Sequence, residues 1–264
     1  MKIDALVQEV HHRREGRGLV LFLDYDGTLV EIAPWPEKAV PTPEVLGILS
    51  QLAAHPDIAV VVVSGRPLQE LQDFLPIPGL NYVGSHGGEG RLAEWHWQKS
   101  NTAGPAGNPD QMAQDLKSRL AGLSGWRLEQ KPLGVAVHYR RAEPDQAARI
   151  REVLTAWAQE VVNSGPLEVM WGRKVLEVLP QGVSKGAAVR DILSAAFFSD
   201  LYPIYLGDDT TDESAFQALQ GLGVTIKVGA VGATTAADHV LAEPAAVLAF
   251  ITSLALLPEK ALSL

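Results

Sequence analysis

The sequence predicts an α/β fold, a doubly wound parallel sheet interrupted by a small inserted α+β domain. Three observations predict it. Leu19–Leu23, Ile58–Val63 and residues 203–206 are short apolar runs without polar alternation, as expected of strands buried on both faces. Helical patterns lie between these runs, and strands alternating with helices imply a parallel sheet. The middle of the chain breaks this rhythm and follows the order αββαββ.

Taken in order, the first apolar run ends abruptly at Asp24. Thr42-Pro43-Glu44 reads as a helix cap with proline at the first helical position, and Val45, Leu46, Ile48, Leu49 and Leu52 continue at helical spacing. The second run ends at Ser64-Gly65-Arg66. Residues 101–110, rich in Gly, Pro, Asn and Ala, read as a linker. Met112, Ala113, Leu116 and Leu120 then fit one helix face, followed by strand candidates at 126–131 and 133–141. Ile150, Val153, Leu154, Trp157, Ala158 and Val161 mark a second helix, followed by strand candidates at 167–171 and 173–179. Core elements resume near Lys185, so the expected organisation is a core of residues 1–104 and 181–264 around an inserted domain at 105–180. The third core run ends at Gly207-Asp208-Asp209. Open α/β sheets bind ligands at the carboxyl ends of their strands, so the three polar clusters should meet in space.

The bulk numbers exclude several classes. The 264 residues are 47% hydrophobic, enough for one large domain or two small ones. Acidic residues outnumber basic ones by 31 to 22, and a formal charge of −9 argues against a broad nucleic-acid-binding face. With no cysteine there is no disulfide, no zinc-thiolate site and no thiol catalysis. The first 17 residues lack the apolar centre of a leader, and the longest apolar run, 245–257, is too short to span a bilayer. The expectation is a cytoplasmic monomer that binds neither nucleic acid nor membrane.

The strongest chemical signal is Asp24-Tyr25-Asp26-Gly27-Thr28. Two carboxylates two residues apart beyond a strand end can face one ligand. One can attack phosphorus and the other can donate and accept protons. In Gly207-Asp208-Asp209-Thr210-Thr211-Asp212-Glu213, four acids within six residues repel one another unless a cation or hydrogen bonds stabilise them, and oxygen ligands of this kind suit Mg2+. Thr211 or Asp212 could also cap the following helix, a role compatible with metal binding. Ser64-Gly65-Arg66 could hold phosphate oxygens, or be a simple turn and cap. Lys185, in Gly182-Val183-Ser184-Lys185-Gly186-Ala187, sits at a helix start, where the dipole disfavours it unless an anion faces it.

Taken in chain order, the four clusters resemble the four motifs of haloacid dehalogenase (HAD) phosphatases. The resemblance implies a Rossmann-like HAD core with a cap domain. It implies Asp24 as nucleophile, Asp26 as general acid and base, Ser64 as a phosphoryl ligand and Lys185 as the neutralising cation. It also implies Mg2+ held by Asp24, Asp208 and the backbone carbonyl of Asp26, with Asp209 or Asp212 in support.

The run from Gly207 to Glu213 is similar to that of the trehalose-6-phosphate phosphatase family, as are Gly84-Ser85-His86-Gly87, Val137-His138-Tyr139-Arg140 and Gly172-Arg173-Lys174-Val175-Leu176-Glu177-Val178. The resemblance implies a sugar phosphate as substrate, with Glu129, Lys131 and Glu177 contacting sugar hydroxyls. Gly65, Arg66, His86, Gly87, His138 and Arg140 join them as expected substrate-binding positions. Leu179 departs from the family, where many members carry arginine. Sucrose 6-phosphate and mannosyl-3-phosphoglycerate are the rival substrates. Outside enzymes, the rivals are a phospho-accepting signalling module, opposed by chain length and by the Asp24–Asp26 pairing, and a catalytically silent regulatory domain.

Overall fold

The computed structural model describes residues 3–33, 35–93, 95–99, 107–172, 174–230, 232 and 234–256. The chain divides into two units, Met1–Trp97 with Ser184–Leu264, and Gln98–Val183.

The first unit is built on an eight-stranded sheet. Its strands in chain order are β1 (Leu19–Leu23), β2 (Ile58–Val63), β3 (Asn81–Gly84), β4 (Glu89–Leu92), β5 (Trp95–Gln98), β10 (Tyr202–Gly207), β11 (Val224–Val228) and β12 (His239–Leu241). They lie in the order β12-β11-β10-β1-β2-β3-β4-β5. The pairs from β12 through β3 are parallel, and β4 runs antiparallel to β3. In register, Leu23 stands beside Leu206 and Val62, so β1, β2 and β10 end together and bring their polar clusters to one edge.

Alternate residues of β1 enter different cores, which explains its unbroken apolarity. Leu19, Leu21 and Leu23 pack with α1 (Ile3–Arg13), α2 (Pro43–Ala53) and α8 (Pro244–Leu254) through Leu6, Val10, Leu49, Leu52 and Phe250. Val20 and Phe22 pack with α6 (Lys185–Leu193) and α7 (Glu213–Ala218) through Val189, Ile192 and Phe216. The sheet is thus doubly wound. As the sequence suggests, Thr42 caps α2, its side chain accepting a hydrogen bond from the Val45 amide. A further helix, α3 (Leu68–Phe74), follows β2. Strands β3, β4, β5, β11 and β12 went unread in the sequence because they are short and mix polar with apolar residues. The insert follows the β4–β5 extension.

The second unit contains α4 (Pro109–Arg119), β6 (Arg127–Gln130), β7 (Val135–His138), α5 (Pro144–Ser164), β8 (Leu167–Gly172) and β9 (Val175–Pro180), in the predicted αββαββ order. Its strands form an antiparallel sheet, β6-β7-β9-β8. One face buries Val135, Val137, Leu176 and Val178 against Leu116, Leu154 and Trp157 of the helices. Residues 101–106 of the expected linker lie outside the described residues, and its last two are helical instead. Asn108 accepts hydrogen bonds from the Asp110 and Gln111 amides, with Pro109 at the first helical position, so a turn-like composition here encodes a cap. Arg173 also lies outside the described residues.

Candidate active site

Asp24 follows β1 directly and is 4% exposed. Lys185 opens α6, whose cap is the Ser184 hydroxyl accepting from the Ala187 amide at 3.1 Å. The Lys185 ammonium donates to Asp24 Oδ1 and Asp212 Oδ1, at 2.7 Å each. A cation at a helix N-terminus opposes the helix dipole, and these two carboxylates compensate. The Tyr205 hydroxyl, buried on β10, also donates to Asp212 Oδ1 at 2.7 Å, and the Asp209 amide donates to Oδ2 at 2.9 Å. Asp212 is therefore fully satisfied and fully buried.

Ligand atoms of Asp24, Asp208 and Asp212 lie within 4.8 Å of one another. Burial pushes the Asp24 carboxyl well above its usual range, outweighing the lowering charge of Lys185, and the charges of Asp212 and Asp208 add to the rise. Burial and the charges of Asp212 and Asp209 push Asp208 up to about 7. Three carboxylates face one lysine here. A divalent cation would balance that charge, and an all-carboxylate donor set matches a hard ion. The residues therefore fit a metal. Asp209 is placed differently from Asp212: it is exposed, and its carboxylate accepts from the Thr210 amide at 2.8 Å in a capping box.

Two glycines make the approach possible. A β-carbon on Gly27, whose φ is +80°, would lie 2.2 Å from Asp208 Oδ2. One on Gly207 would lie 2.2 Å from Asp212 Cγ.

Asp26 is half-exposed and engaged by Arg66 in a two-pronged ion pair, Nε to Oδ2 and Nη2 to Oδ1, both at 2.7 Å. The same guanidinium donates to Glu70 and, at 2.8 Å, to the Pro36 carbonyl. Ser64, at the end of β2, is buried, and its hydroxyl accepts from the Arg66 amide at 3.2 Å. The His86 amide donates to the Ser64 carbonyl at 3.0 Å. A β-carbon on Gly65 would lie 2.4 Å from His86 Nε2, and one on Gly87 would lie 2.9 Å from the Ser184 carbonyl. Gly65, Arg66, His86 and Gly87 thus belong to one neighbourhood.

In the second unit, strand pairing puts Glu129, Ala136 and Glu177 in one row, with Arg127 and His138 in the next row but one on the same face. Lys131 donates to Glu177 Oε1 at 2.6 Å, both residues being buried, and His138 Nε2 lies 2.8 Å from Glu129 Oε2. Lys131 also acts on Glu129 through its charge, so the four side chains form one electrostatic group. Arg140 is exposed beyond the end of β7. Trp157 is core, 1% exposed, and Trp126 and Trp171 pack against the same core.

Sequence inspection passed over Tyr205, Lys227 and Glu89. Lys227 reaches the Asp209 carbonyl at 3.2 Å. A tyrosine within a fully buried strand needs a partner for its hydroxyl, and that was the available signal for Tyr205.

Comparison with known proteins gives a consistent result. The family model described as trehalose-phosphatase matches residues 22–244. A trehalose-phosphate phosphatase of Mycobacterium marinum is 39% identical over 213 residues, covering 79% of this chain and 53% of the relative. The chain thus spans about half the length of that relative. The trehalose-6-phosphate phosphatase of Escherichia coli is 34% identical over 229 residues, covering 84% of this chain and 82% of the relative. Among solved structures, the C-terminal domain of the C. albicans trehalose-6-phosphate phosphatase superposes with a TM-score of 0.84 at 25% identity, covering 96% of this chain and 97% of that one.

Proposed function

The chain belongs to the trehalose-phosphatase family, and from that premise we propose that it hydrolyses trehalose 6-phosphate to trehalose and inorganic phosphate with Mg2+ as cofactor. The observation that carries the proposal is the Lys185 ammonium held at 2.7 Å from both Asp24 and Asp212, beside Asp208, with a second carboxylate two residues after Asp24.

In this mechanism an Asp24 carboxylate oxygen forms a bond to phosphorus as the bond from phosphorus to the sugar oxygen breaks. Asp26 gives its proton to the departing sugar oxygen. Asp26 then takes a proton from a water that attacks phosphorus, and the bond to Asp24 breaks. In the present conformation each Asp26 oxygen accepts one hydrogen bond from Arg66, which orients the carboxylate and leaves its other lone pairs open. Ser64 and Lys185 hold and neutralise the phosphoryl oxygens, in keeping with a reaction that depends mainly on positioning and charge. Asp24, Asp208 and the Asp26 carbonyl would hold Mg2+, which supplies charge neutralisation on the phosphoryl group when bound. Asp212, rather than Asp209, is the supporting acid we favour, because it shares the cluster.

We assign sugar recognition to the second unit. Its face bearing Glu129, Lys131, His138 and Glu177 offers paired acceptors and donors for hydroxyls, with Arg140 at its edge. The test is phosphate release from a panel of sugar phosphates, including sucrose 6-phosphate and mannosyl-3-phosphoglycerate, with and without Mg2+. Mg2+-dependent release from trehalose 6-phosphate, lost in Asp24→Asn, is expected. Equal release across the panel would overturn the substrate assignment, and unchanged release by Asp24→Asn would overturn the mechanism.

A further inference from the structure

Three consecutive residues after β3, Ser85, His86 and Gly87, have φ angles of 49°, 55° and 102°. A lone left-handed histidine is uncommon, and two adjacent non-glycine residues in this region persist only where their surroundings hold them. The holding groups are present. Glu89 is buried, and its Oε1 accepts from the Ser85 hydroxyl at 2.7 Å and from the Leu68 amide at 2.9 Å. The Ser85 amide donates to the Arg66 carbonyl at 2.8 Å, and the His86 amide to the Ser64 carbonyl at 3.0 Å.

The strained turn touches two parts of the site. His86 lies against Gly65, and Gly87 lies against the Ser184 carbonyl just before Lys185. Glu89 itself is out of keeping with an anion site, since a buried carboxylate there repels phosphate. A buried carboxylate is retained only where hydrogen bonds compensate it, and here both bonds run to the elements that flank Ser64, Gly65 and Arg66.

We infer that Glu89 is a positioning residue for phosphate binding: it ties the Ser85–His86 turn to the start of α3 and so fixes His86 and the Ser64–Arg66 loop around the phosphoryl group. The inference rests on the phosphatase proposal. Without the carboxylate, the turn relaxes toward right-handed angles and the His86 and Ser64 positions drift together.

The test compares Glu89→Ala, Glu89→Gln and Ser85→Ala. The readouts are inorganic phosphate binding by calorimetry in Mg2+ buffer, kcat and KM for trehalose 6-phosphate, and melting temperature. Releasing two strained residues predicts that Glu89→Ala weakens phosphate binding and raises KM by about tenfold. Glu89→Gln keeps an acceptor oxygen and is expected to remain within about threefold of wild type. Phosphate affinity in Glu89→Ala equal to wild type, or equal damage in Glu89→Gln, would overturn the inference. If Glu89→Ala does not fold, Ser85→Ala decides: it removes one of the two bonds, and unchanged phosphate affinity there also overturns it. Wild-type protein that binds phosphate but turns over no sugar phosphate would sink the proposed function while leaving the Glu89 comparison readable.

Discussion

Replacing Lys185 by methionine probes the centre of the site. Methionine keeps most of the volume and removes the charge. Lys185 is 3% exposed and lies 2.7 Å from two carboxylates that are also buried. At an effective dielectric of about 20, each contact carries roughly 6 kcal/mol of attraction, much of it offset by the cost of burying the charges. Removing one partner of such a buried pair costs about 3–5 kcal/mol. At about 2–4 °C per kcal/mol, the metal-free variant should melt some 6–20 °C lower.

The pH dependence has a definite sign. Asp24 and Asp208 have folded-state pKa values raised above 3.8, Asp208 to about 7, so the stability they contribute is lost as pH rises from 3.8 through those values. Lys185 opposes both shifts, and without it both carboxyls rise further. The gap between variant and wild type should therefore be larger at about pH 8 than at about pH 5. Calorimetric melting in a chelator-containing buffer measures it. A difference under about 2 °C, or a gap that shrinks toward alkaline pH, would refute the charge argument.

Three further outcomes are expected. Gly27→Ala combines a left-handed backbone with a β-carbon 2.2 Å from Asp208 Oδ2, so it should cost about 1–2 kcal/mol of backbone strain and weaken Mg2+ at least tenfold in a metal titration of turnover; an unchanged midpoint would show that Asp208 is not held there. Burial raises the Glu129 carboxyl, but the hydrogen bond from His138 and the charges of Lys131 and His138 outweigh it and leave the pKa lowered from 4.5. The ionised form persists in the folded protein as pH falls to 4.5 and is lost below, so the ratio of the His138→Ala KM to the wild-type KM should grow as pH falls toward 4.5, and a ratio that does not change with pH would refute the role of His138. Trp157→Ala empties a fully buried indole site and removes its 2.8 Å bond to Asp115, which should cost about 3–5 kcal/mol in urea unfolding; a loss under about 1 kcal/mol would mean the second unit repacks around the gap.

Periodicity and turn chemistry alone determined the doubly wound core, the αββαββ insert and the clustering of Asp24, Ser64 and Asp208 at strand ends. Burial on both faces leaves unbroken apolar runs, and a strand must end where its polar residues begin. The short strands β3, β4, β5, β11 and β12 escaped because their neighbours in the sheet, rather than their own composition, make them strands.

The pairings within the site were decided by tertiary structure. Sequence spacing places Asp209 and Asp212 on one loop but cannot say which turns inward. The fold answers by seating Asp212 between Lys185 and Tyr205, residues 27 and 7 positions away in the chain. It also pairs Asp26 with Arg66 and, separately within the second unit, joins Lys131 to Glu177. These contacts join residues distant in the chain, and their strength depends on burial and on sub-ångström geometry. Only the packed sheet supplies both, because hydrogen bonds and buried charges act over distances that sequence order does not encode.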